Sequence, residues 1–392
     1  SKNLKRMSNP ILALIPSGYK GQTATVPQVY SVLPSDGSGD FTFDRANGLA
    51  TRVNKDGLIE EVANDTPRLD YLNGTCPSLL LEAERTNNIR YSEDTTAADW
   101  TDPSNEWSSV SNTETSPSGE LTADVIDLTA SDNSSLIRVT NMSLAAGIYA
   151  VSFWIKDLEG GLTSGTVDLG DEGTGDTTPS ISTVSNQWVR VERIITITST
   201  KTFLDIQLNF SGASNKVSIW GLQVELGLIK SSYIPTNSST VTRFKDICKD
   251  GGSSTLFDIT EGTFFVDLFN FDSVNSSVIG LSNGTDAQKI TFLFEPSLTR
   301  VRTFSSGGVL YYDTLNYNQR NKILVTFKLN EYKTYINGVL VSTDTAATVP
   351  AGMDRLNFSH ITATTLFFEG EVHDTRVYDR VLTEAEAIKL TT

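Results

Sequence analysis

The stretch from Lys216 to Asp246 reads KVSIWGLQVELGLIKSSYIPTNSSTVTRFKD, and it decides how the rest of the chain is interpreted. Its first half alternates like a strand, so Trp220, Leu222 and Val224 are expected to share one face. The opposite face also carries apolar residues, which predicts a strand that is covered on both sides. After Pro235 the periodicity stops. We therefore interpret this stretch as the last strand of one domain followed by a linker into the next.

Length, charge and composition limit the possible architectures. The chain has 392 residues, enough for two or three domains at about 100–200 residues each. Lys and Arg number 31 against 47 for Asp and Glu, a net charge of −16, which argues against a nucleic-acid partner because phosphate contacts need clustered cations. Segments rich in Thr, Ser, Asn, Asp and Gly, with few helix-favouring runs, predict an all-β protein.

The chain shows no feature of membrane insertion or secretion. Its longest apolar run is far shorter than the ~20 residues of a membrane-spanning helix. The run from Ile11 to Ile15 is too short for the apolar region of a signal peptide. We therefore expect synthesis in a cytoplasm and export, if any, by another route.

The spacing of turn residues divides the chain into three parts. Residues 1–90 contain many prolines and glycines between short extended pieces, and they are expected to be an irregular anchoring segment that lies on a partner surface or on the rest of the chain. Residues 91–246 show several alternating strands separated by turns, which predicts a β-sandwich. Residues 255–392 repeat this style and predict a second sandwich, with the join between Thr236 and Ser254.

Two local signals mark the second sandwich. Asn337-Gly338 between apolar runs is a strong signal for a two-residue β-hairpin. Residues 382–390 predict one short helix, in which Thr383 caps the N-terminus and Glu386 completes a capping box.

Several motifs resemble those of bacteriophage virion proteins. Two places in the N-terminal part depart from the pattern of those proteins. Asn47-Gly48-Leu49 replaces a small polar run, and Asn88 and Ile89 stand where a pair of leucines is common. The matching segments are IPSGYK, SVLPSDGSGDFTFDRANGLATRVNKDGLIEEV, PRLDY and CPSLLLEAERTNNIRYSED, followed by Trp220, Gly221, Gln223, Glu225, Gly227, Tyr233, Ile234, Pro235, Thr236, Thr242, Arg243 and Asp246. The residues from Trp220 to Asp246 in this list are similar to the segment that ends a carbohydrate-binding-module-like domain. YINGVLV and RVYDRVLTEAEAIKL resemble concanavalin A-like, laminin-G-like lectin domains.

The resemblance implies a fold and a function. The expected fold is all-β: two tandem jelly-roll sandwiches, the first carbohydrate-binding-module-like and the second concanavalin A-like, preceded by an irregular anchoring segment. The implied protein is a head or tail fibre or decoration protein on the virion surface. Its N-terminal segment would contact capsid or tail proteins, its sandwiches would bind a host glycan, and it would be a homotrimer. The alternative is a receptor-binding tailspike that depolymerises polysaccharide.

The chain offers little material for catalysis. A glycosidase needs two carboxylates across one cleft, and the candidate pairs at strand spacing are Glu82/Glu84 and Glu369/Glu371. Residues 369–374 depart from the Glu-x-Asp-x-x-Glu pattern of lectin-fold hydrolases at the third and sixth positions. Of the two histidines, His373 is the candidate base for a triad, but no Gly-x-Ser-x-Gly motif accompanies it. We expect salt bridges or solvated strand faces here, and no enzymatic activity.

The candidate ligand-binding residues are aromatic or acidic. The tryptophans, Trp188 among them, could offer faces for sugar stacking. Trp100 and Trp107 lie in polar segments and are the better candidates, whereas Trp154 and Trp220 lie in apolar strands and are expected in the core.

The loop VDLGDEGTGDTT places Asp168, Asp171 and Asp176 where they could bind Ca²⁺, although a solvated turn is the favoured interpretation. Cys76 and Cys248 could form one disulfide or remain free thiols, and the latter is favoured because spacing alone constrains a disulfide little.

Overall fold

The computed structural model describes residues 10–16, 41–46, 50–71, 76–130, 132–170, 181, 185–270, 276–298, 300–305, 308–317, 319–361 and 366–392. The chain divides into two compact units. The central unit comprises Asn47–Ala63 and Glu84–Phe244, and the C-terminal unit comprises Ser1–Ala46, Asn64–Ala83 and Lys245–Thr392.

The described residues form short and long strands along the whole chain. The strands up to the middle are β1 Leu12–Leu14, β2 Thr42–Asp44, β3 Ala50–Val53, β4 Ile59–Val62, β5 Arg68–Asp70, β6 Ser78–Leu81, β7 Arg85–Asn87, β8 Trp100–Thr101, β9 Trp107–Glu114, β10 Ala123–Leu128, β11 Ser134–Val139, β12 Gly147–Asp157, β13 Leu162–Leu169, β14 Trp188–Ile197 and β15 Leu204–Phe210. The others are β16 Asn215–Leu226, β17 Val241–Arg243, β18 Ile247–Lys249, β19 Glu261–Asn270, β20 Ser277–Ser282, β21 Lys289–Glu295, β22 Arg300–Ser305, β23 Gly308–Thr314, β24 Arg320–Lys328, β25 Glu331–Ile336, β26 Val339–Asp344, β27 Arg355–Asn357 and β28 Gly370–Tyr378, and the helix α1 is Glu384–Thr391.

The central unit is an antiparallel sandwich. One sheet has the strand order β14-β12-β16-β10-β9 and the other has the order β13-β15-β11-β8. Alternation along β12 sends Val151, Phe153 and Ile155 into the main core, where they meet Ile206 and Leu208 of β15. The pairs β3–β4 and β7–β17 complete the unit. The sequence prediction of an all-β sandwich is confirmed here.

A β-bulge in β16 reverses the expected facing of Trp220. Ser152 pairs with Gln223 but Trp154 pairs with Trp220, so β16 has one residue more than β12 between these pairs. Gly221 adopts a φ of 67° at this point. Leu222 therefore joins the main core, while Trp220 packs on the opposite face of the sheet.

The prediction that Trp220 is buried is confirmed, at 2% exposure. The prediction that it shares a face with Leu222 and Val224 is wrong, because strict alternation cannot anticipate a bulge.

A small second core covers the outer face of the five-stranded sheet. We call it the outer core: Ile59, Ala123, Trp220 and Tyr233, with Val53, Trp154 and Trp188 packed against them. The Trp220 and Tyr233 ring centroids are 4.6 Å apart. The residues of this cluster come from the β3–β4 hairpin, the sheet itself and the segment after β16, so a single aromatic cluster fixes all three.

Buried polar groups hold the segment 227–236 on the sheet. The Gln223 Oε1 atom accepts from the backbone N–H of Ile234 at 2.8 Å, and its Nε2 donates to Glu225 at 2.8 Å. The Glu225 carboxylate in turn accepts from the backbone N–H and the hydroxyl of Ser231, both at 2.6 Å. Arg243 donates to Ser232 Oγ at 2.9 Å. These polar side chains satisfy backbone groups that lie away from water.

We expect Gly221→Ala to destabilise the central unit by about 2–5 kcal/mol, because it adds backbone strain and a steric conflict. A Cβ at this position would lie 2.9 Å from Trp154 Cε3. Gly57→Ala is the matched control: its φ is 80° and nothing lies within 4 Å of the new Cβ, so it should cost only about 1–2 kcal/mol. Denaturant unfolding of both variants measures the difference, and equal costs would contradict the predicted conflict with Trp154.

The C-terminal unit is a second antiparallel sandwich. Its larger sheet has the order β26-β25-β24-β19-β28-β6-β5, with β1 also paired to β28, and its smaller sheet has the order β23-β22-β21-β20-β27. Phe264 of β19 stacks on Phe292 of β21 with ring centroids 5.0 Å apart, which joins the inner faces of the two sheets. The strands β2 and β18 pair separately.

Segments from the N-terminal part complete this unit. β6 pairs with residues 370–372 of β28, and β1 pairs with residues 375–377. Leu12, Leu14, Leu79 and Leu81 are all within the core of the unit. We expected residues 1–90 to be an irregular segment that lies on a partner or on the rest of the chain, but their described parts contribute short strands to both units. Short strands of this kind cannot bury their apolar side chains alone and therefore pair at an existing sheet edge.

The turn and helix signals of the C-terminal unit are confirmed. Asn337 and Gly338 have φ values of 48° and 85°, as a two-residue hairpin turn between β25 and β26 requires. Thr383 and Glu386 form the predicted capping box at α1. The helix covers an apolar patch on the outer face of the larger sheet, which includes Phe265, Leu324 and Tyr378.

A buried ion network joins three chain segments of the C-terminal unit. Arg45, Arg68, Glu82 and Asp246 are each at most 5% exposed. Asp246 binds both guanidiniums: Arg45 Nη1 lies 3.0 Å from Oδ1, and Arg68 Nη2 bonds to Oδ2. Arg68 also donates to Glu82 at 2.7 Å. Burial disfavours the charge of Arg68, but the neighbouring charges of Asp246 and Glu82 outweigh it and raise the Arg68 pKa.

Asp246→Asn is expected to destabilise the C-terminal unit by about 3–5 kcal/mol, because it leaves two buried guanidiniums short of a counter-charge. Asp354→Asn is the control in the same unit. Its partner Arg355 and Asp354 itself have side chains 36% and 32% exposed, so the change should cost at most about 1 kcal/mol. Urea unfolding of both variants provides the measurement, and comparable losses would show that the network adds no more than a surface pair.

Both cysteines are free thiols: Cys76 is exposed and Cys248 is buried. Burial, with the Asp246 charge beside it, raises the pKa of Cys248 and keeps this thiol protonated and unreactive. In the part of the chain that the structure describes, no helix is long and apolar enough to cross a membrane.

Candidate functional site

A cluster of polar and charged side chains lies on the outer face of the larger sheet of the C-terminal unit, beside the patch that α1 covers. Three neighbouring strands, β24, β19 and β28, provide most of it, and β6 contributes one side chain. We call it the His373 cluster: Ser78, Asp267, Phe269, Arg320, Glu371, His373, Asp374 and Arg376.

Strand register places an aromatic ring in the middle of this cluster. Phe269 pairs with Arg320 on one side and with Glu371 on the other. Residues at directly opposite positions of neighbouring strands project from the same face. Phe269 is partly exposed, so the site combines an apolar ring with charged and hydrogen-bonding groups on either side.

Two arginines are held by aspartates of the same sheet. Arg320 forms a bidentate pair with Asp267, at 2.6 and 2.7 Å, and its side chain is 54% exposed. Arg376 binds Asp374 in the same way, at 2.9 and 2.5 Å. A planar guanidinium held on both nitrogens has a fixed orientation, so Arg320 offers its remaining donors from one defined position.

Glu371 lies between a hydroxyl and an imidazole. Ser78 Oγ donates to Glu371 Oε2 at 3.2 Å, and His373 Nε2 lies 3.6 Å from the same oxygen. A nucleophilic triad requires the hydroxyl to donate to the imidazole, whereas here the carboxylate receives the Ser78 hydroxyl. Glu371 and Ser78 are 4% and 3% exposed, so this pair supports the His373 ring from beneath.

The pKa shifts of the cluster arise mainly from burial. Burial lowers the pKa of His373, and the positive charge of Arg320 lowers it further, although Asp267 opposes the shift. Burial also raises the pKa of Asp374, against the opposing effect of Arg376. His373 is therefore neutral near pH 7, with one ring nitrogen as donor and the other as acceptor.

We expect the stability of the C-terminal unit to fall between pH 7.5 and pH 5.5, and to fall less in His373→Gln. The folded-state pKa of His373 lies below its unfolded value of about 6.5. The unfolded chain therefore binds more protons in this range, and stability is lost as the pH decreases. The raised pKa of the Asp374 carboxyl changes stability in the opposite direction at lower pH. Because Asp374 is present in both proteins, its effect is common to both pH profiles. Identical pH profiles of thermal unfolding in the two proteins would contradict this assignment.

The two tryptophans predicted to stack on sugars lie in or against the core of the central unit. Trp100 is 6% exposed, and its Nε1 donates to the Tyr91 carbonyl at 3.0 Å. It pairs with Val139 in the sheet, so the prediction that its ring is open to a sugar disagrees with its burial. Trp107 is partly buried against the same core and donates from Nε1 to the Leu136 carbonyl at 3.1 Å. Polar neighbours in the sequence suggested exposure, but strand pairing buries Trp100; sugar stacking on Trp107, which is partly exposed, stays a prediction.

The predicted Ca²⁺ ligands are described only in part. Asp168 lies in β13, paired with Asp205, whereas Asp171 and Asp176 lie outside the described residues. Among the residues that are described, no group of three or more His, Cys, Asp or Glu side chains is arranged to bind a metal. A Ca²⁺ site in this loop stays a prediction.

The two predicted carboxylate pairs have separate surroundings. Glu82 is part of the buried ion network, and Glu371 is part of the His373 cluster.

Sequence reasoning found part of the site and missed the rest. It selected Glu371 and His373, which lie in one strand, but not Asp267, Phe269 or Arg320. These residues are separated from β28 by about 50 to 100 positions, and only the pairing of β19 with β24 and β28 brings them together. The available signal was the strand sequence Val-Asp-Leu-Phe at 266–269, in which an acidic and an aromatic residue share one face.

Comparisons with known proteins characterise one part of the chain. Residues 253–387 match the model of the concanavalin A-like lectin/glucanases superfamily. A comparison with curated protein sequences gives no significant match.

Several solved structures are similar to part of the chain. One is the CBM40 module of Ruminococcus gnavus IT-sialidase bound to α2,3-sialyllactose: 19% identity, 36% of this chain and 86% of that chain covered, and a TM-score of 0.31. Another is domain 4 of AbnA, an arabinanase from Geobacillus stearothermophilus, in complex with arabinotriose: 12% identity, 38% and 73% covered, TM-score 0.30. A third is the SAP-like pentraxin of Limulus polyphemus: 13% identity, 34% and 70% covered, TM-score 0.27. The family match establishes a lectin-type domain in the C-terminal unit, and likenesses at this level assign no ligand.

Proposed function

We propose that this protein is a non-enzymatic, glycan-binding protein of a bacteriophage virion surface, and that the His373 cluster is a glycan-binding site. The observation that carries the proposal is the position of this cluster. A partly exposed Phe269 lies between Arg320 and Glu371 on a sheet face of a lectin-type domain. Sugars are recognised by the same combination of an apolar ring face and directed hydrogen bonds.

The chemistry of the cluster supports binding of hydroxyl groups. A fixed guanidinium supplies donors, and a neutral imidazole supplies one donor and one acceptor. Adjacent hydroxyls of a sugar ring need both kinds of partner within a few ångströms. The site is shallow because it lies on a sheet face, so we propose weak individual sites whose binding is multiplied by copy number.

The virion role rests on the sequence resemblance. The motifs in residues 1–90 and Lys216–Asp246 resemble those of phage fibre and decoration proteins. We propose that the N-terminal part contacts capsid or tail proteins, that the protein is a homotrimer, and that it is made in the host cytoplasm and displayed on the virion. Imaging of labelled protein on intact particles by electron microscopy would test this placement.

The absence of catalysis is also a proposal. A glycosidase needs two carboxylates that differ in protonation across one cleft. Here Asp267 and Asp374 each hold an arginine in a bidentate pair, which favours a role in orienting those arginines. We therefore propose that Asp267 and Asp374 position arginines and that the cluster binds its ligand without cleaving it.

We expect the purified chain to bind host surface polysaccharide and its oligosaccharides on a glycan array. Arg320→Ala combined with His373→Ala should weaken binding at least tenfold, which corresponds to about 1.4 kcal/mol. Lys333→Ala is the control, because Lys333 is a surface residue of β25 in the same unit. Isothermal titration calorimetry measures the affinities.

Two outcomes would contradict the proposal. Unchanged affinity in the double variant would remove the His373 cluster as the site. Release of reducing ends from the polysaccharide by the purified chain, lost in Glu371→Gln, would identify a depolymerase instead.

A further inference from the structure

The outer face of the central unit carries a second group of partly exposed side chains, along the edge strand β14. Trp188, Arg190 and Glu192 alternate with inward residues and share this face. They pair directly with Lys156, Trp154 and Ser152 of β12, respectively. We call these six side chains the β14 strip; Ser152 is buried and the other five are partly exposed. Because β14 is the last strand of its sheet, the strip lies at the sheet edge.

Trp188 is fixed in orientation although its side chain is partly exposed. Its Nε1 donates to the Thr115 carbonyl at 2.9 Å, and the ring packs against the outer core. A ring held at one edge and along part of its surface loses little conformational entropy when a ligand stacks on it. Tryptophan also has the largest apolar face available for the C–H groups of a sugar.

Trp154 is the second aromatic side chain of the strip and is also partly exposed. The Arg190 guanidinium lies 4.4 Å from the centroid of its ring. Arg190 is itself fixed, because it donates to the Ser231 carbonyl at 2.8 Å and to Ser152 Oγ at 3.2 Å. The strip therefore holds a cation in a defined position over the Trp154 ring, two residues along β14 from Trp188.

Charges around the strip are largely matched. Lys156 pairs with Glu114 at 3.1 Å, and Glu192 pairs with Lys230. Matched pairs produce little net field, so they favour neither an acidic nor a basic ligand, but they still supply donors and acceptors. Paired donors and acceptors beside aromatic rings fit a ligand with many hydroxyl groups, and we take a neutral oligosaccharide as the ligand to test.

We propose that the β14 strip is a second saccharide-binding site, which takes a neutral oligosaccharide stacked on Trp188. The sugar hydroxyls would bind the Lys156–Glu114 pair on one side and Arg190 on the other. The inference rests on the proposed function for its class of ligand, but it concerns a different unit and different residues. It makes the chain bivalent for glycans.

The test uses the full chain and a panel of neutral oligosaccharides: cellohexaose, chitohexaose, maltohexaose and arabinohexaose. Binding is measured by calorimetry and by quenching of tryptophan fluorescence. Trp188→Ala should weaken binding of at least one member by tenfold or more, whereas Trp188→Phe should stay within about threefold because it keeps a ring. Affinity should change by less than twofold between 50 mM and 500 mM NaCl, since stacking is not screened by salt. Thermal unfolding confirms that both variants are folded.

Variants of each site distinguish binding at the β14 strip from binding at the His373 cluster. If the variant with Arg320→Ala and His373→Ala still binds an oligosaccharide and Trp188→Ala removes that binding, the second site is supported. If Trp188→Ala leaves every affinity unchanged, the second site is overturned, and the proposed function then depends on the His373 cluster alone. Failure of the native chain to bind any member of the panel overturns the β14 strip, and binding of host polysaccharide lost only in the His373 cluster variants would then preserve the proposed function.

Discussion

The C-terminal unit depends on one buried carboxylate. Asp246 accepts from Arg45 and Arg68, and Arg68 extends the network to Glu82. These groups come from three chain segments that are far apart in sequence. Two guanidiniums without water need counter-charges at close range, so the network forms only when all three segments are in register. Apolar strands at a sheet edge can slip by two residues at modest cost, but ion pairs that bridge three segments cannot follow such a shift without being broken.

The central unit solves the same problem with side chains that hydrogen-bond to the backbone of one segment. Gln223 and Glu225 project from β16 on the face opposite to the main core, where they bind the backbone of the segment that follows. The bulge at Gly221 makes this possible, because it turns Trp220 to the same outer face without removing Leu222 from the main core. The polar positions in WGLQVELG thus have a structural explanation, and the resemblance to phage proteins at these positions concerns the fold of the unit. Ligand chemistry has to be sought in other residues.

Local sequence patterns predicted the fold class, the second sandwich, the hairpin at Asn337-Gly338 and the cap of α1, because each depends on residues within one or two turns or strands. They did not predict the facing of Trp220, which depends on a single extra residue in one strand. They also did not predict that β1 and β6 pair with β28. The sequence of a short strand does not identify its partner unless a tight turn connects the two strands. The His373 cluster was found only where two of its members share one strand. Asp267 and Arg320 meet through sheet pairing, and each looks like an ordinary surface charge in the sequence.

The interleaving of the two units has a consequence for synthesis on the ribosome. The central unit lies between chain segments that all belong to the C-terminal unit, so its long segment emerges after β1, β2, β5 and β6 but before β19, β24 and β28. At about 5–20 residues per second, Glu84–Phe244 takes on the order of 10–30 s to synthesise. During this time the N-terminal strands have no sheet to join, and their leucines remain in a nascent chain. The central unit can fold first, and it brings the two ends of its own segment together through β7 and β17. The carboxyl-terminal strands are therefore the last to form. The lectin-type domain can assemble only after they have been synthesised.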